Sequence, residues 1–190
     1  MSNLVNRIFE AQHLKQIKHE WWRMAGVQFP DSVAEHALIA AQIGRYLAVL
    51  EWADPYRVVT TLVFHDLPET RIGDLHRVAT RYIKGKDKAE EQICLEQMTD
   101  MPWGEELRAL FLAFEKRADE VGIIAKDADY LEQAFQAKIY LEQGYATAQT
   151  WITNVGNALK TSSAKQLRSD LQARKSTDRW QWLMHLPSER

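Results

Sequence analysis

With 8 glycines and 5 prolines among 190 residues, the chain has little of the punctuation that a strand-rich fold requires. Long stretches rich in Ala, Leu, Glu, Gln, Lys and Arg favour helix instead, so the expected fold class is all-α. One helix start is written out in full. Ser32 is followed three residues later by Glu35, a capping box in which the hydroxyl takes an early backbone N–H and the carboxylate reaches back to the cap. A helix from Val33 to about Leu50 follows, with Val33, Ile39, Ala40, Ile43 and Leu47 as its apolar stripe. His36 lies in the middle of that stripe and is expected to face inward.

The rest of the chain divides in the same way. Residues 3 to 23 read as a first helix ending near Gly26, with "GVQFPD" as the connection to Ser32. A third helix begins near Pro55 and carries Val58, Val59, Leu62 and Val63 up to His65 and Asp66. Leu62 precedes His65, and Val63 precedes Asp66, by one turn, which puts both polar groups on or beside the buried side. Pro68 disfavours helix at Leu67, so Glu69 to Asp74 are expected on a helix-end loop that turns at Gly73. Further helices are expected at about 86–99, 103–117, 120–142, 145–160, 163–175 and 178–185, separated by breaks at Gly85, Pro102 and Gly144. The tryptophans Trp151, Trp180 and Trp182 are expected to pack back onto the bundle.

Size and charge exclude several roles. At 22.0 kDa the chain fits one domain that buries a core without disulfides. Its 24 Lys and Arg balance 26 Asp and Glu with no basic tail, which argues against polymeric nucleic acid as a partner. Cys94 is the single cysteine and reads as a small core residue. Arg7 and Glu10 interrupt any secretory apolar run, and no stretch reaches the ~18 apolar residues of a membrane span. The expected location is therefore cytoplasmic, with no membrane partner.

Inward-facing histidine and aspartate need partners, because an isolated buried carboxylate would rather take up a proton than stay charged. A divalent cation is one such partner. The candidate ligands are His36, His65, Asp66 and, on the long later helix, Asp129 in "AKDADYLEQAF". Three separate helices would then converge on one site.

This H…HD…D order resembles the signature of HD-domain metal-dependent phosphohydrolases. The flanking motifs "SVAEH", "HDLPETRIGDL" and "KDADYLEQ" are similar to those of the branch that contains 5′-deoxynucleotidases, over a motif-bearing core of about 14–142. The resemblance implies a single HD domain over 1–190, a helical bundle in which 143–190 form C-terminal helices packed on the core, and a homodimer. It implies that His36, His65, Asp66 and Asp129 hold one divalent ion, Mn, Co, Fe, Ni, Mg or Zn. Family members with two metals use extra histidines before the last aspartate, and His76 is the one histidine in that interval here.

Glu69 and Asp74 are implied as the groups that handle protons and the attacking water, with Glu69 as first choice for the donor to the leaving oxygen, although the sequence does not order the two roles. The implied activity is hydrolysis of the 5′-phosphate of nucleoside or deoxynucleoside monophosphates. Other phosphate esters as substrates (a nucleoside triphosphate, an alarmone, a non-nucleotide ester) or a non-catalytic nucleotide-binding or signalling module stand as alternatives. Trp22 falls where the family places a tryptophan that can stack on a base or sugar. The bacterial deoxynucleotidases carry an arginine just before it, where this chain has Trp21. Lys18, Arg23 or Arg71 would then supply the cation for the phosphate. Trp21 itself, and the C-terminal tryptophans, read as packing residues or part of an oligomer interface, and His13, His19 and His185 as surface residues. The segment "KGKDKAEEQ" at 84–92 reads as a solvated helix start, or as a lid over the site.

Overall fold

Local signals decide where the helices begin. In the computed structural model, which describes residues 2–99 and 101–184 with the side chains of Ser2 and Trp182 left aside, the elements are α1 (Ser2–Gln12), α2 (Trp21–Met24), α3 (Val33–Leu50), α4 (Pro55–Phe64), α5 (Glu69–Ile72), α6 (Arg77–Tyr82), α7 (Lys86–Met98), α8 (Gly104–Lys116), α9 (Glu120–Glu142), α10 (Gln149–Ala158), α11 (Ser162–Ala173) and α12 (Asp178–Met184). The fold is all-α, with one isolated antiparallel bridge, Lys18 with Ser32, among the described residues. The capping box at Ser32 forms with both of its bonds, and Asp54 caps α4 by accepting from the N–H groups of Tyr56 and Arg57.

The expected helix over 3–23 is broken. After α1 come a 3-10 turn at His13–Lys15, an extended stretch, and the single turn of α2. Long-range bonds outweigh helix propensity here: the Val33 N–H donates to Ile17 O and the His19 N–H to Asp31 O, each at 3.0 Å, and the Glu20 N–H finds Asp74 Oδ2 at 2.7 Å. His19 is thereby buried rather than on the surface as expected, while His13 is exposed. Glu69 to Ile72 form a helical turn, not a loop, and the chain reverses at Gly73, whose φ of 73° suits glycine. The helix α6 was not foreseen.

The core sits between α3, α4, α8 and α9, around Leu47, Leu62, Leu110, Phe114, Ile124 and Leu131. The inward face of α3 is built from small residues. Ala37, Ala40, Ala41, Gly44 and Ala48 are buried, whereas Ile39, assigned to the stripe, is 42 % exposed. A Cβ on Gly44 would stand 2.3 Å from Leu62 Cδ1, so glycine there lets α4 close on α3. Val63 faces out, and Asp66 is accordingly only partly covered.

A second cluster gathers Trp22, Val27, Tyr140 and Ile152, with Trp151 packed against it. Trp180 is half exposed and does not pack as expected; the Trp182 side chain and residue His185, with the end of the 178–185 helix, lie outside the described residues. The C-terminal helices are fastened by Asp127. Wholly buried on α9, its carboxylate accepts from the N–H groups of Lys160 and Thr161 and from the Thr161 hydroxyl, at 2.7 to 3.1 Å. Thr161 in turn caps α11. Cys94 is a buried core residue, its thiol pushed up to about 11 by burial. No helix among the described residues is long and apolar enough to cross a membrane.

Candidate metal centre

Three helices deliver the four expected ligands to one place. His36 lies one turn into α3, His65 and Asp66 follow the last residue of α4, and Asp129 lies inside α9. His36 Nε2 stands 3.3 Å from Asp129 Oδ1 and 3.7 Å from Asp66 Oδ2, and His65 Nε2 stands 3.0 Å from the same Asp66 oxygen. Ligand atoms of His36, His65 and Asp66 all fall within 4.8 Å of one another. Asp66 keeps 22 % of its side chain exposed, which gives the group an opening to solvent.

Outer partners orient both imidazoles. His36 Nδ1 pairs with Glu132 Oε2 at 2.5 Å, and His65 Nδ1 donates to Leu62 O at 2.7 Å. Each bond turns the corresponding Nε2 toward the carboxylates. His65 Nε2 is then a buried nitrogen with no hydrogen-bond partner. At 3.0 Å from an anionic carboxylate oxygen, that nitrogen is held favourably only with a cation on it or between the two, a proton or a metal ion. Two imidazoles and two carboxylates fit a divalent first-row metal and leave coordination positions open.

The local charge balance is also that of a cation site. Burial alone would lower the His36 pKa, but Glu132 and Asp129 hold it well above its ordinary value. Burial would raise Asp66, yet the neighbouring His65 brings it down to about 2. Asp129, against the same effect of burial, is held far below the usual carboxylate range, chiefly by Lys126. Lys126 and Asp129, one turn apart on α9, would in isolation make an ordinary ion pair on a solvated face. Lys126 is instead covered, 3.4 Å from Asp129 Oδ2, 3.5 Å from Glu115 Oε1 and 3.9 Å above the Phe114 ring. It neutralises one oxygen of Asp129 while the other faces His36.

Glu69, on the turn after the His65–Asp66 pair, is buried. Burial and the carboxylates of Asp66 and Asp74 push its pKa well up, opposed by Lys86. Lys86 Nζ lies 3.9 Å from Glu69 Oε1 and 2.8 Å from Glu90 Oε1. The 84–92 segment is therefore not merely a solvated start: Lys86 and Glu90 turn inward at one edge of the site. Asp74 is buried too, with both oxygens engaged, Oδ2 by the Glu20 N–H and Oδ1 by Trp21 Nε1 at 3.0 Å. Burial raises its pKa, His19 lowers it, and Asp66 raises it again.

The expected substrate groups are rearranged. Trp22 is 0 % exposed, with its ring against Tyr140, Trp151 and His19, so it has no free face for a base. Arg71 is spent on Glu10 at 2.5 Å and Glu96 at 2.6 Å, and Arg23 on Glu20 at 2.7 Å. The charge of Lys18 lies beside Glu35. None of these cations is brought to the centre. What opens beside it is a cavity of about 240 Å³ whose walls include Trp21, Arg77, Tyr130, Gln133, Trp151 and Asn154. Gln133 Nε2 donates to Asp129 Oδ1 at 3.1 Å, so the cavity and the centre share a wall. Sequence reasoning missed Glu132 and Gln133, although they stand three and four residues from Asp129 on a helix.

A profile of the HD domain family matches residues 11–171, which reaches past the last sequence motif to include α10 and most of α11. A 5′-deoxynucleotidase of Dictyostelium discoideum is 26 % identical over 152 residues, covering 75 % of this chain and 80 % of that protein. A crystal structure of a protein from Pyrococcus horikoshii, 26 % identical, matches with a TM-score of 0.74 over 89 % of this chain and 96 % of that one. The fold also matches, at 17 % identity and a TM-score of 0.56, an HD phosphohydrolase of cyanophage S-2L bound to dA and one catalytic Zn²⁺ ion, over 86 % of this chain and 92 % of that one.

Proposed function

The chain belongs to the HD domain family, and on that basis we propose that it is a metal-dependent phosphomonoesterase releasing inorganic phosphate from nucleoside 5′-monophosphates, deoxynucleotides included. The observation that carries this reading is the buried, partnerless Nε2 of His65 set against Asp66, with His36 and Asp129 alongside. His36, His65, Asp66 and Asp129 would hold the ion. Bound there, a divalent cation supplies Lewis acidity toward phosphoryl oxygens and lowers the pKa of a water.

The protein's own groups supply the rest. Glu69, whose pKa burial, Asp66 and Asp74 push well up, is suited to donate a proton to the leaving alkoxide oxygen. Lys86, beside it, acts in the opposite direction and lowers that pKa. Asp74 holds the start of α2 and the Trp21 indole in place through its two hydrogen bonds. The likeness to the Dictyostelium deoxynucleotidase supports the nucleotide class. Trp21, where the bacterial deoxynucleotidases carry arginine, favours a second reading in which the same centre serves another phosphate ester.

Phosphate release from ribo- and deoxynucleoside 5′-monophosphates and triphosphates, by chelator-stripped protein given single divalent metals, tests the proposal. Release from monophosphates is expected, and its loss in Asp66→Ala. Metal binding without release from any member would overturn it. A homodimer accompanies this reading, supported by large apolar side chains left in solvent on α3 and just after it, Leu38, Tyr46, Val49 and the 95 % exposed Trp52. Sedimentation showing a monomer at micromolar concentration would remove that part.

A further inference from the structure

We infer that Gln97, on the far end of α7, is a positioning residue that holds the turn carrying Glu69 in place for proton donation. The inference rests on the phosphohydrolase reading, with Glu69 as the donor, and names the group that keeps that donor where the leaving oxygen can reach it.

The turn cannot hold itself. Its helix, α5, is four residues long and has no side-chain cap at its start. A single helical turn fixes several dihedral angles for one or two bonds and is unstable alone. Its support comes from α7. Gln97 Nε2 donates to Leu67 O at 3.1 Å and to Thr70 Oγ1 at 3.0 Å, one residue on each side of Pro68 and Glu69. The Thr70 hydroxyl donates in turn to Leu67 O at 2.8 Å, which closes the bracket. Glu10 Oε1 takes a third contact from the same amide nitrogen at 3.1 Å and so ties α1 to it.

The chemistry of Gln97 separates this role from packing. It is 1 % exposed and lies among Ile93, Cys94 and Met98 on the buried side of α7, where an apolar residue would fill the space without loss. Leu67 O and the Glu10 carboxylate can only accept, so the NH2 group must face them. The amide oxygen is left buried with no hydrogen-bond partner, an unfavourable arrangement tolerated where the donor is needed. The same helix reaches the carboxylate of Glu69 from its other end through Lys86. One element thus sets both the backbone of Glu69 and the charge beside its side chain. When the P–O bond to the leaving oxygen breaks, that oxygen keeps the bonding pair and takes the Glu69 proton, a transfer that requires Glu69 within hydrogen-bond reach.

The test uses the full chain and Gln97→Met, which keeps the side chain's length and removes its NH2, with Thr70→Val as a second variant that removes the acceptor on the other side. Hydrogen exchange is read across residues 67–73, where the N–H groups of Thr70, Arg71 and Gly73 are all bonded within the turn. Phosphate release is read with deoxyadenosine 5′-monophosphate and with nitrophenyl phosphate, whose leaving group departs without a proton. In both variants exchange should quicken in 67–73 and not in α3 or α9, with metal content at saturation unchanged. The kcat for the nucleotide should fall by roughly 100-fold in Gln97→Met, with little change in KM, and far less for the nitrophenyl ester. A merely structural role would lower both esters alike. Unchanged exchange in 67–73, or equal losses on the two esters, overturns the positioning role and leaves the centre's reading standing. If wild type releases phosphate from neither ester, the phosphohydrolase reading falls, and exchange in 67–73 alone decides whether Gln97 holds the turn.

Discussion

Replacing Asp127 by alanine should unfasten the C-terminal helices without touching the candidate metal ligands. Its carboxylate is buried and takes three donors, the N–H groups of Lys160 and Thr161 and the Thr161 hydroxyl. A hydrogen bond to a charged group contributes about 1.5–3 kcal/mol net. The Lys160 side is exposed, so water recovers part of what is lost there. The total should therefore fall near ~3–5 kcal/mol, the upper end of what one substitution costs when it breaks a buried hydrogen-bond network. For a chain of this length each kcal/mol moves Tm by about 2–4 °C, which gives a drop of roughly 6–20 °C. Asp127→Asn keeps an acceptor of the right shape but turns an amide N–H toward a donor, and should lose about half as much. Thermal unfolding followed by circular dichroism measures the drop, with metal content at saturation as the control. A fall of less than ~2 °C in Asp127→Ala, or metal content lost in parallel with an unchanged Tm, would refute the clamp.

Glu132→Gln removes the charge behind His36 while keeping its size, and metal affinity should fall about 10–100-fold, read by competition with a chromophoric chelator. Glu10, ion-paired to Arg71 and Arg7, has its pKa lowered from 4.5 to about 2, burial opposing and the Arg71 hydrogen bond prevailing. Its folded-state pKa is depressed, so the stabilisation is complete above 4.5, shrinks as pH falls through that value and is gone below about 2. Because the pair faces solvent, Glu10→Gln should cost only about 1 kcal/mol at pH 6, and the gap from wild type in urea unfolding should narrow at pH 3; a constant gap would refute it.

The elements legible in the sequence are those whose signal is local. A capping box needs four consecutive residues, and α3 begins where Ser32 and Glu35 put it. The meeting of His36, His65, Asp66 and Asp129 was legible because histidine and aspartate on apolar stripes are costly unless they find partners. What was not legible depends on partners far along the chain. Whether Trp21 or Trp22 faces the cavity is decided by Asp74 and by the cluster around Tyr140, neither of which any local pattern announces. Arg71 turns away because Glu10 and Glu96, on α1 and α7, are waiting for it. Ile39 misled for a different reason. A period-based reading favours the largest apolar residues, but helices that pack closely bury small ones, here Ala37, Ala40 and Gly44. Glu132 and Gln133 could have been found by drawing the helical face around Asp129.

The capping box has a consequence for how the protein tolerates change in length. His36 is counted from a fixed helix end, so residues added or removed in the Gln28–Pro30 turn, where Phe29 is 89 % exposed, leave the box free to re-form and the imidazole at the same azimuth. One residue inserted between Ser32 and His36 would instead swing the ring by roughly 100° about the helix axis, off the side shared with His65 and Asp129. Natural length variation among kin of this chain should therefore collect before Ser32 and stop there.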